Sequence, residues 1–345
     1  MSSTPLLPTF SIILETENLA NADMAGLHRA LQSLASQDLP PTVANEVLLL
    51  ETGDAPQAYL AQLADAYPWL TFCAVPKELS YYEVKMWAAK KATGEVIVYC
   101  DSDCCYERSW LRRMVTSFTA DEQIRVVAGE TAIRGAGIYR TAMALTYIFP
   151  QYSGGQRMEP AAGYFLNNVA FRRQFLLDHP IPTELPLYRG NCVIHAYTLL
   201  QQGECIWCQP QARASHAPPN GLSHFYWRFL LIGHDYYWQQ RLLGKLSQRL
   251  RGQDHQGWRG KFRIFGQRLR QMVRHDPRHI FFLPLALPII LVSVLLILIG
   301  YQLTTLKPHY LLKAYERILG KPELKHSNSD RALPAWRDRA ADRQG

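Results

Sequence analysis

Gly94-Glu95-Val96-Ile97-Val98-Tyr99-Cys100-Asp101-Ser102-Asp103 is the stretch on which the reading of this chain turns. A β-branched apolar run that starts at a glycine and is too short for a helix predicts a buried strand. The run ends on two carboxylates with one residue between them. In open α/β sheets ligands bind outside the carboxyl ends of the strands, so an acidic pair there is well placed for a site. Two acids in apolar surroundings repel and are costly to bury, and a cation between them is the natural remedy. Oxygen ligands suit Mg²⁺ or Mn²⁺, which in turn bind phosphate oxygens. The plainer alternative is an Asx-type turn leading into a helix that Ser109-Trp110-Leu111 would start. The triplet alone does not choose between them.

Upstream, Phe10–Leu14 predicts a first buried strand and Gly26–Ala35 a helix with Leu27, Leu31 and Leu34 on one face. Glu46–Glu51 is a second strand that again ends on an acid. A helix over Gln57–Ala66, a short strand over Leu70–Val75 and a helix over Lys85–Ala92 lead into the central strand. Strands alternating with helices of this length predict βαβ units and a mostly parallel sheet, and apolar runs without alternation predict cover on both faces. The expected fold class is α/β.

The 345 residues carry 48% hydrophobic and 19% charged side chains and a net charge of +8. That excess would ordinarily raise nucleic acid as a partner. It is local, however: eleven bases between Arg241 and Arg278 face only Asp254 and Asp276. Seven cysteines with no basic, apolar leader at the N-terminus predict free thiols in a reducing compartment. The lone pair Cys205 and Cys208 has no second pair at zinc spacing.

Several short motifs occur in a telling order. Ser11-Ile12-Ile13-Leu14-Glu15-Thr16-Glu17-Asn18 resembles the opening strand of the family-2 glycosyltransferases, and Glu51-Thr52-Gly53-Asp54 resembles the acidic turn that ends their second strand. Lys85 stands where they carry a base ahead of the central strand. Asp101-Ser102-Asp103 matches their D-x-D, and Trp110-Leu111 the W-L that follows it. Gly163 to Arg173 and the Ala214-Ser215-His216 segment resemble two later motifs. The resemblance covers about the first 220 residues and implies a GT-A fold, with the sheet Rossmann-like and flanked by helices. The departures are Glu15 for the usual proline, Glu17 for the usual aromatic, and Asn191-Cys192 where the family has an acidic pair whose second member is the catalytic base.

The resemblance implies metal-assisted transfer of a sugar, of the hexosyl type and with inversion, from a nucleoside diphosphate sugar to a lipid-linked or envelope glycan. Asp103 is then the expected metal ligand, with Asp101 on metal or ribose and His216 completing a site for Mn²⁺ or Mg²⁺. Glu15, Glu17, Glu51, Lys85 and Asp101 are expected around the nucleotide sugar. Asn167, Asn168 and Arg172 are expected at the acceptor, and Tyr164, Tyr188 and Trp207 are available to stack on sugars. With the usual base absent, Glu184, Asp178 and His195 are candidates. A retaining mechanism, or an acceptor that brings its own anion, stays open. So do two other readings: a degenerate membrane subunit that binds without turnover, and nucleotidyl transfer.

Ile280–Tyr301 contains no charge, and 22 residues of helix cover roughly 33 Å, about one hydrocarbon core. A membrane segment is expected there, kinked or re-entrant at Pro284 and Pro288. The basic stretch before it, with interleaved Trp258, Phe262, Ile264 and Phe265, reads as an interfacial segment on anionic lipid rather than a nucleic-acid site. The positive-inside rule then keeps residues 1–235 cytoplasmic. The expected organisation is a GT-A-like domain over 1–235, a basic juxtamembrane segment over 236–279, a transmembrane helix over 280–301 and a tail over 302–345, disordered from Glu323 on.

Overall fold

The apolar runs form strands whose alternate residues enter two different layers. The computed structural model describes residues 7–16, 24–51, 53, 55–133, 135–247 and 258–318, with side chains described outside 245–247 and 258–264. In chain order the elements are β1 (Phe10–Glu15), α1 (Met24–Ala35), β2 (Glu46–Glu51), α2 (Gln57–Ala66), β3 (Leu70–Ala74), α3 (Tyr81–Lys91), β4 (Val96–Asp101), β5 (Cys104–Tyr106), α4 (Trp110–Thr116), β6 (Val126–Ala132), α5 (Ile138–Thr146), β7 (Glu159–Pro160), β8 (Asn168–Arg172), α6 (Arg173–Asp178), α7 (Asn191–Gln201), β9 (Ile206–His216), α8 (Gly221–Ser247), α9 (Trp258–His275), α10 (His279–Leu306) and α11 (Tyr310–Ile318).

Phe10, Ile12 and Leu14 of β1 and Val96, Val98 and Cys100 of β4 pack under α1, α2 and α4. Ile13, Ile97 and Tyr99 point the other way, into a layer made with α3, α6 and α7. A strand buried on both faces needs no polar alternation, which explains the continuous runs. The sheet runs β3-β2-β1-β4-β8-β6-β9-β5, with β7 on β9. Strands β3, β2, β1 and β4 are parallel, β8 is antiparallel to both β4 and β6, and β6 returns parallel to β9. The mostly parallel α/β expectation holds. Gly94 is required at the head of β4, because a Cβ there would lie 2.4 Å from the carbonyl carbon of Phe10. All seven cysteines are free.

Helix α3 begins one turn before the expected Lys85, at Tyr81. Helix α8, Gly221–Ser247, runs without a break past residue 235, where the basic juxtamembrane segment was expected to begin. A third core of aromatic and aliphatic side chains joins α5, α8, α9 and α10. Helix α10 extends past the expected 280–301 segment to 28 residues and is long and apolar enough to cross a membrane. Glu17 and the tail from Glu323 lie outside the described residues.

Candidate functional site

The central strand delivers Asp101 to the end of the sheet, where β1 places Glu15 beside it in register. A lone buried carboxylate is costly, and α3 supplies the remedy. Lys85, fully buried, puts Nζ 2.6 Å from Asp101 Oδ1 and donates to the Cys100 carbonyl at 2.6 Å. Tyr81 donates to the same carboxylate from 2.9 Å, and the Asp101 N–H donates to the Tyr106 hydroxyl at 3.0 Å. Asp101 is thus held by three side chains, those of Lys85, Tyr81 and Tyr106.

Asp103 stands two residues on, in the turn before β5. The antiparallel pairing of β5 with β9 sets Cys104 opposite His216, which brings His216 Nε2 within 3.2 Å of Asp103 Oδ2. The other ring nitrogen of His216 faces the Ala217 carbonyl at 2.5 Å. A carbonyl there keeps a proton on Nδ1, so Nε2 is the ring nitrogen that would bind a metal placed between it and Asp103. Burial works to raise the Asp103 carboxyl, yet the His216 ring and the Arg228 guanidinium outweigh it and hold the group down at about 2. Asp103, Cys104 and His216 bring one ligand atom each within 4.8 Å of one another. Burial pushes the Cys104 thiol far up, so it stays protonated and donates weakly to Asp103 at 3.7 Å. What remains is a carboxylate oxygen and an imidazole nitrogen, a donor pair that fits Mn²⁺ better than Mg²⁺.

These groups open on a cleft of about 890 Å³, a size common for small-molecule sites. Its lining includes Asp101, Asp103, His216, His224, Asn167 and the arginines Arg29, Arg140, Arg189 and Arg228. Arg228, on α8, donates from Nε to the Tyr147 hydroxyl at 2.6 Å and lies 5.2 Å from the Tyr188 ring centre. Arg189 stacks 4.0 Å from the centre of the Tyr81 ring. Its loop is tied to α8 by Asp235, which accepts the N–H groups of Tyr188 at 2.7 Å and Arg189 at 2.9 Å. Burial pushes the Asp235 carboxyl up to about 6, against partial relief from those two donors.

Of the residues expected from sequence, Asp101, Asp103, His216 and Asn167 line the cleft, as does Tyr188. The others do not. Lys85 is sealed behind Asp101 and reaches no solvent, so it serves the carboxylate rather than a base or phosphate. Glu51 caps the N–H groups of Gly53 and Ala55, and Glu15 is buried at the end of β1. Asn168 is also buried: it accepts from Trp110 Nε1 at 2.7 Å and donates to the carbonyls of Glu130 and Ala212, joining β6 and β9. Arg172 donates to the carbonyls of Ile124 and Phe118.

None of the three candidate bases reaches the cleft. His195 spends both ring nitrogens in the core, one on the Tyr164 hydroxyl at 2.6 Å and one on the His179 carbonyl at 2.9 Å. Burial lowers it to about 4, so it is neutral. Asp178 accepts from Gln174 on α6, and Glu184 is exposed on a loop away from the site. Among the described lining residues, Asp101 and Asp103 are the only carboxylates.

Sequence reading missed the four arginines, Tyr81 and Asp235. Arg228 had a signal: it is a single base inside the aromatic run Phe225-Tyr226-Trp227-Arg228-Phe229, where a charge must have a buried purpose.

Residues 21–180 match the family model described as Glycosyl transferase family 2. That segment is similar to family-2 glycosyltransferase domains, and the fold is of the GT-A type. Among solved structures, the mannosyltransferase PcManGT from Pyrobaculum calidifontis in complex with GDP-Man and Mn²⁺ aligns with a TM-score of 0.51 at 16% identity, over 93% of this chain and 87% of that one. GalNAc-T7 with UDP, GalNAc and Mn²⁺ aligns at a TM-score of 0.49 and 14% identity over 68% of this chain, which spans 50% of that protein's length. At such identities the likeness speaks to fold alone. A search of curated protein sequences finds none that matches.

Proposed function

We propose that this protein transfers a sugar from a nucleoside diphosphate sugar to an anionic, phosphate-bearing acceptor at a membrane. The carrying observation is the composition of one cleft: Asp103 and His216 held together beside Arg29, Arg140, Arg189 and Arg228, with Asp101, the one other carboxylate among the described lining residues, already bonded to Lys85 and Tyr81. Asp103 and His216 would hold the divalent ion, which when bound would neutralise charge on the departing diphosphate. Arg189 and Arg228 are preorganised by tyrosine rings and need not lose side-chain freedom to grip a phosphate. Asp101 is pinned by Lys85 and Tyr81 and is suited to orient a sugar hydroxyl rather than to move a proton.

An acceptor hydroxyl would need a base, and none of the expected ones stands in the cleft. A phosphate is already an anion at neutral pH and attacks without one, while four guanidinium groups favour its binding. The apolar helix α10 supports an acceptor carried by lipid, on the cytoplasmic face where sugar nucleotides are made. Manganese-dependent transfer from a panel of nucleoside diphosphate sugars is the test, with polyprenyl phosphate set against the matching free polyprenol. Transfer to the phosphate alone is expected. Transfer to the alcohol would sink the anionic reading. Donor binding without turnover on any acceptor would favour a binding subunit.

A further inference from the structure

The membrane helix is held to the catalytic body along its whole length, not only where the chain leaves that body. Helix α10 is 28 residues, roughly 42 Å. At its first residue His279, itself buried, meets Thr141 of α5 at 2.7 Å. Near its last residue Thr304, fully buried, meets His234 of α8 at 3.2 Å, and Trp238 of α8 donates to the Pro308 carbonyl just beyond at 3.2 Å. Between these points the two backbones touch: a Cβ at Gly233 would fall 2.1 Å from the Ile297 carbonyl oxygen, and one at Gly300 would fall 2.1 Å from that of Leu230. Helix α8 is in turn packed on the body, through Asp235 to the Tyr188–Arg189 loop and through Trp238 to Leu185, Leu187 and Ile194.

The side chains of α10 divide accordingly. His279, Ala286, Ile290, Ser293, Gly300 and Thr304 are buried and share one stripe of the helix. The opposite stripe is bare and apolar, with Phe281 80%, Leu285 61%, Leu291 68%, Leu295 55% and Leu306 77% exposed. Small and polar residues inward with large aliphatic ones outward is the pattern of a helix whose free side meets hydrocarbon. Arg278 precedes the helix and Lys307 follows it, and α9 and α11 add exposed Arg270, Arg274, Lys313 and Arg317. That charge complements anionic headgroups. After α10, α11 folds back onto the cleft wall, where the Tyr315 ring lies 5.3 Å from that of Tyr188.

A helix that crossed the bilayer would carry α11 to the far side, or pull α5 and α8 into the hydrocarbon with it. We propose instead that α10 lies lengthwise in one leaflet, its bare stripe among acyl chains, with both ends and the catalytic body on the same side of the membrane. The proposal rests on α10 meeting lipid, and its two failures are separable. The experiment is protease digestion of sealed membrane vesicles that hold the full chain with different epitope tags at its two termini. Paired flotation uses phosphatidylcholine vesicles with and without phosphatidylglycerol. Both tags are expected to be cut from the same side, and flotation is expected to be stronger with phosphatidylglycerol. Leu291→Asn and Leu295→Asn, at positions exposed in the folded chain, should each lower vesicle partitioning by about tenfold, corresponding to roughly 1.5 kcal/mol of apolar burial. One tag protected while the other is cut would overturn the lengthwise placement yet keep the membrane. No flotation on either vesicle, with the protein forming oligomers in solution, would show that a second copy covers the stripe and would overturn both.

Discussion

Lys85 and Asp101 form a buried ion pair at 2.6 Å, with the lysine wholly shut off from solvent. The pair joins the helix before the central strand to the acid that ends it. Removing one member of such a pair leaves an uncompensated buried charge and typically costs about 3–5 kcal/mol. Lys85→Met is expected to lose stability of that order in urea unfolding. In Lys85→Met/Asp101→Asn most of the stability should return, with activity still absent. A double variant as unstable as the single one would mean that packing, not charge, is what Lys85 supplies.

Asp103 and His216 should separate in a metal titration from every other residue of the cleft. Loss of an outer partner of a metal ligand usually costs 10–100-fold in affinity, and loss of a ligand itself should cost no less. His216→Ala is therefore expected to raise the Mn²⁺ concentration for half-maximal turnover by at least about tenfold, and Asp103→Ala to abolish turnover. An unchanged manganese requirement in His216→Ala would remove the histidine from the site.

His195→Gln is expected to leave kcat within a few-fold of the parent. The same change should cost about 1–3 kcal/mol of stability, because the Tyr164 hydroxyl and the His179 carbonyl lose a buried partner. Glu184→Gln should alter neither. A collapse of kcat in His195→Gln with stability intact would restore it as the base.

Asp235 gives a pH signature. Its carboxyl titrates at about 6 in the folded chain, above the ordinary 3.8, so between about pH 4 and 6 the folded state binds the proton more tightly than the unfolded one. The stability this group contributes is complete below about pH 4 and is lost as pH climbs through 6. Buried His195, lowered to about 4, acts in the opposite sense over an overlapping range, so the comparison must be with Asp235→Asn rather than with pH alone. The parent should gain on that variant by up to roughly 3 kcal/mol as pH falls from 6 to 4. A gap that does not move with pH would rule out the burial-driven shift.

Much of the sheet could be read in advance because strands buried on both faces write their positions as apolar runs. Glu46–Glu51 and Gln57–Ala66 fall where the sequence put them. The acids at the tip of β4 were legible too, since carboxylates after an apolar run have few reasons to be there. What stayed hidden was partnership across long separations. Lys85 carries the same letter whether it meets solvent or an aspartate sixteen residues on. His195 resembles a catalytic histidine until Tyr164 and His179 are seen to use both nitrogens. The arginines of the cleft come from α1, α5, α8 and the loop before α7, and only the tertiary fold shows that they converge.

The crossing of Gly233 with Gly300 bears on how this protein can be handled. Cutting the chain ahead of the apolar helix is the obvious way to obtain a water-friendly enzyme. Here it would strip the seam from α8, which carries Arg228 and, through Asp235, the loop of Arg189. A shortened version would lose the scaffolding of its own binding groove, so detergent or nanodisc preparations of the intact polypeptide are the form in which to look for turnover.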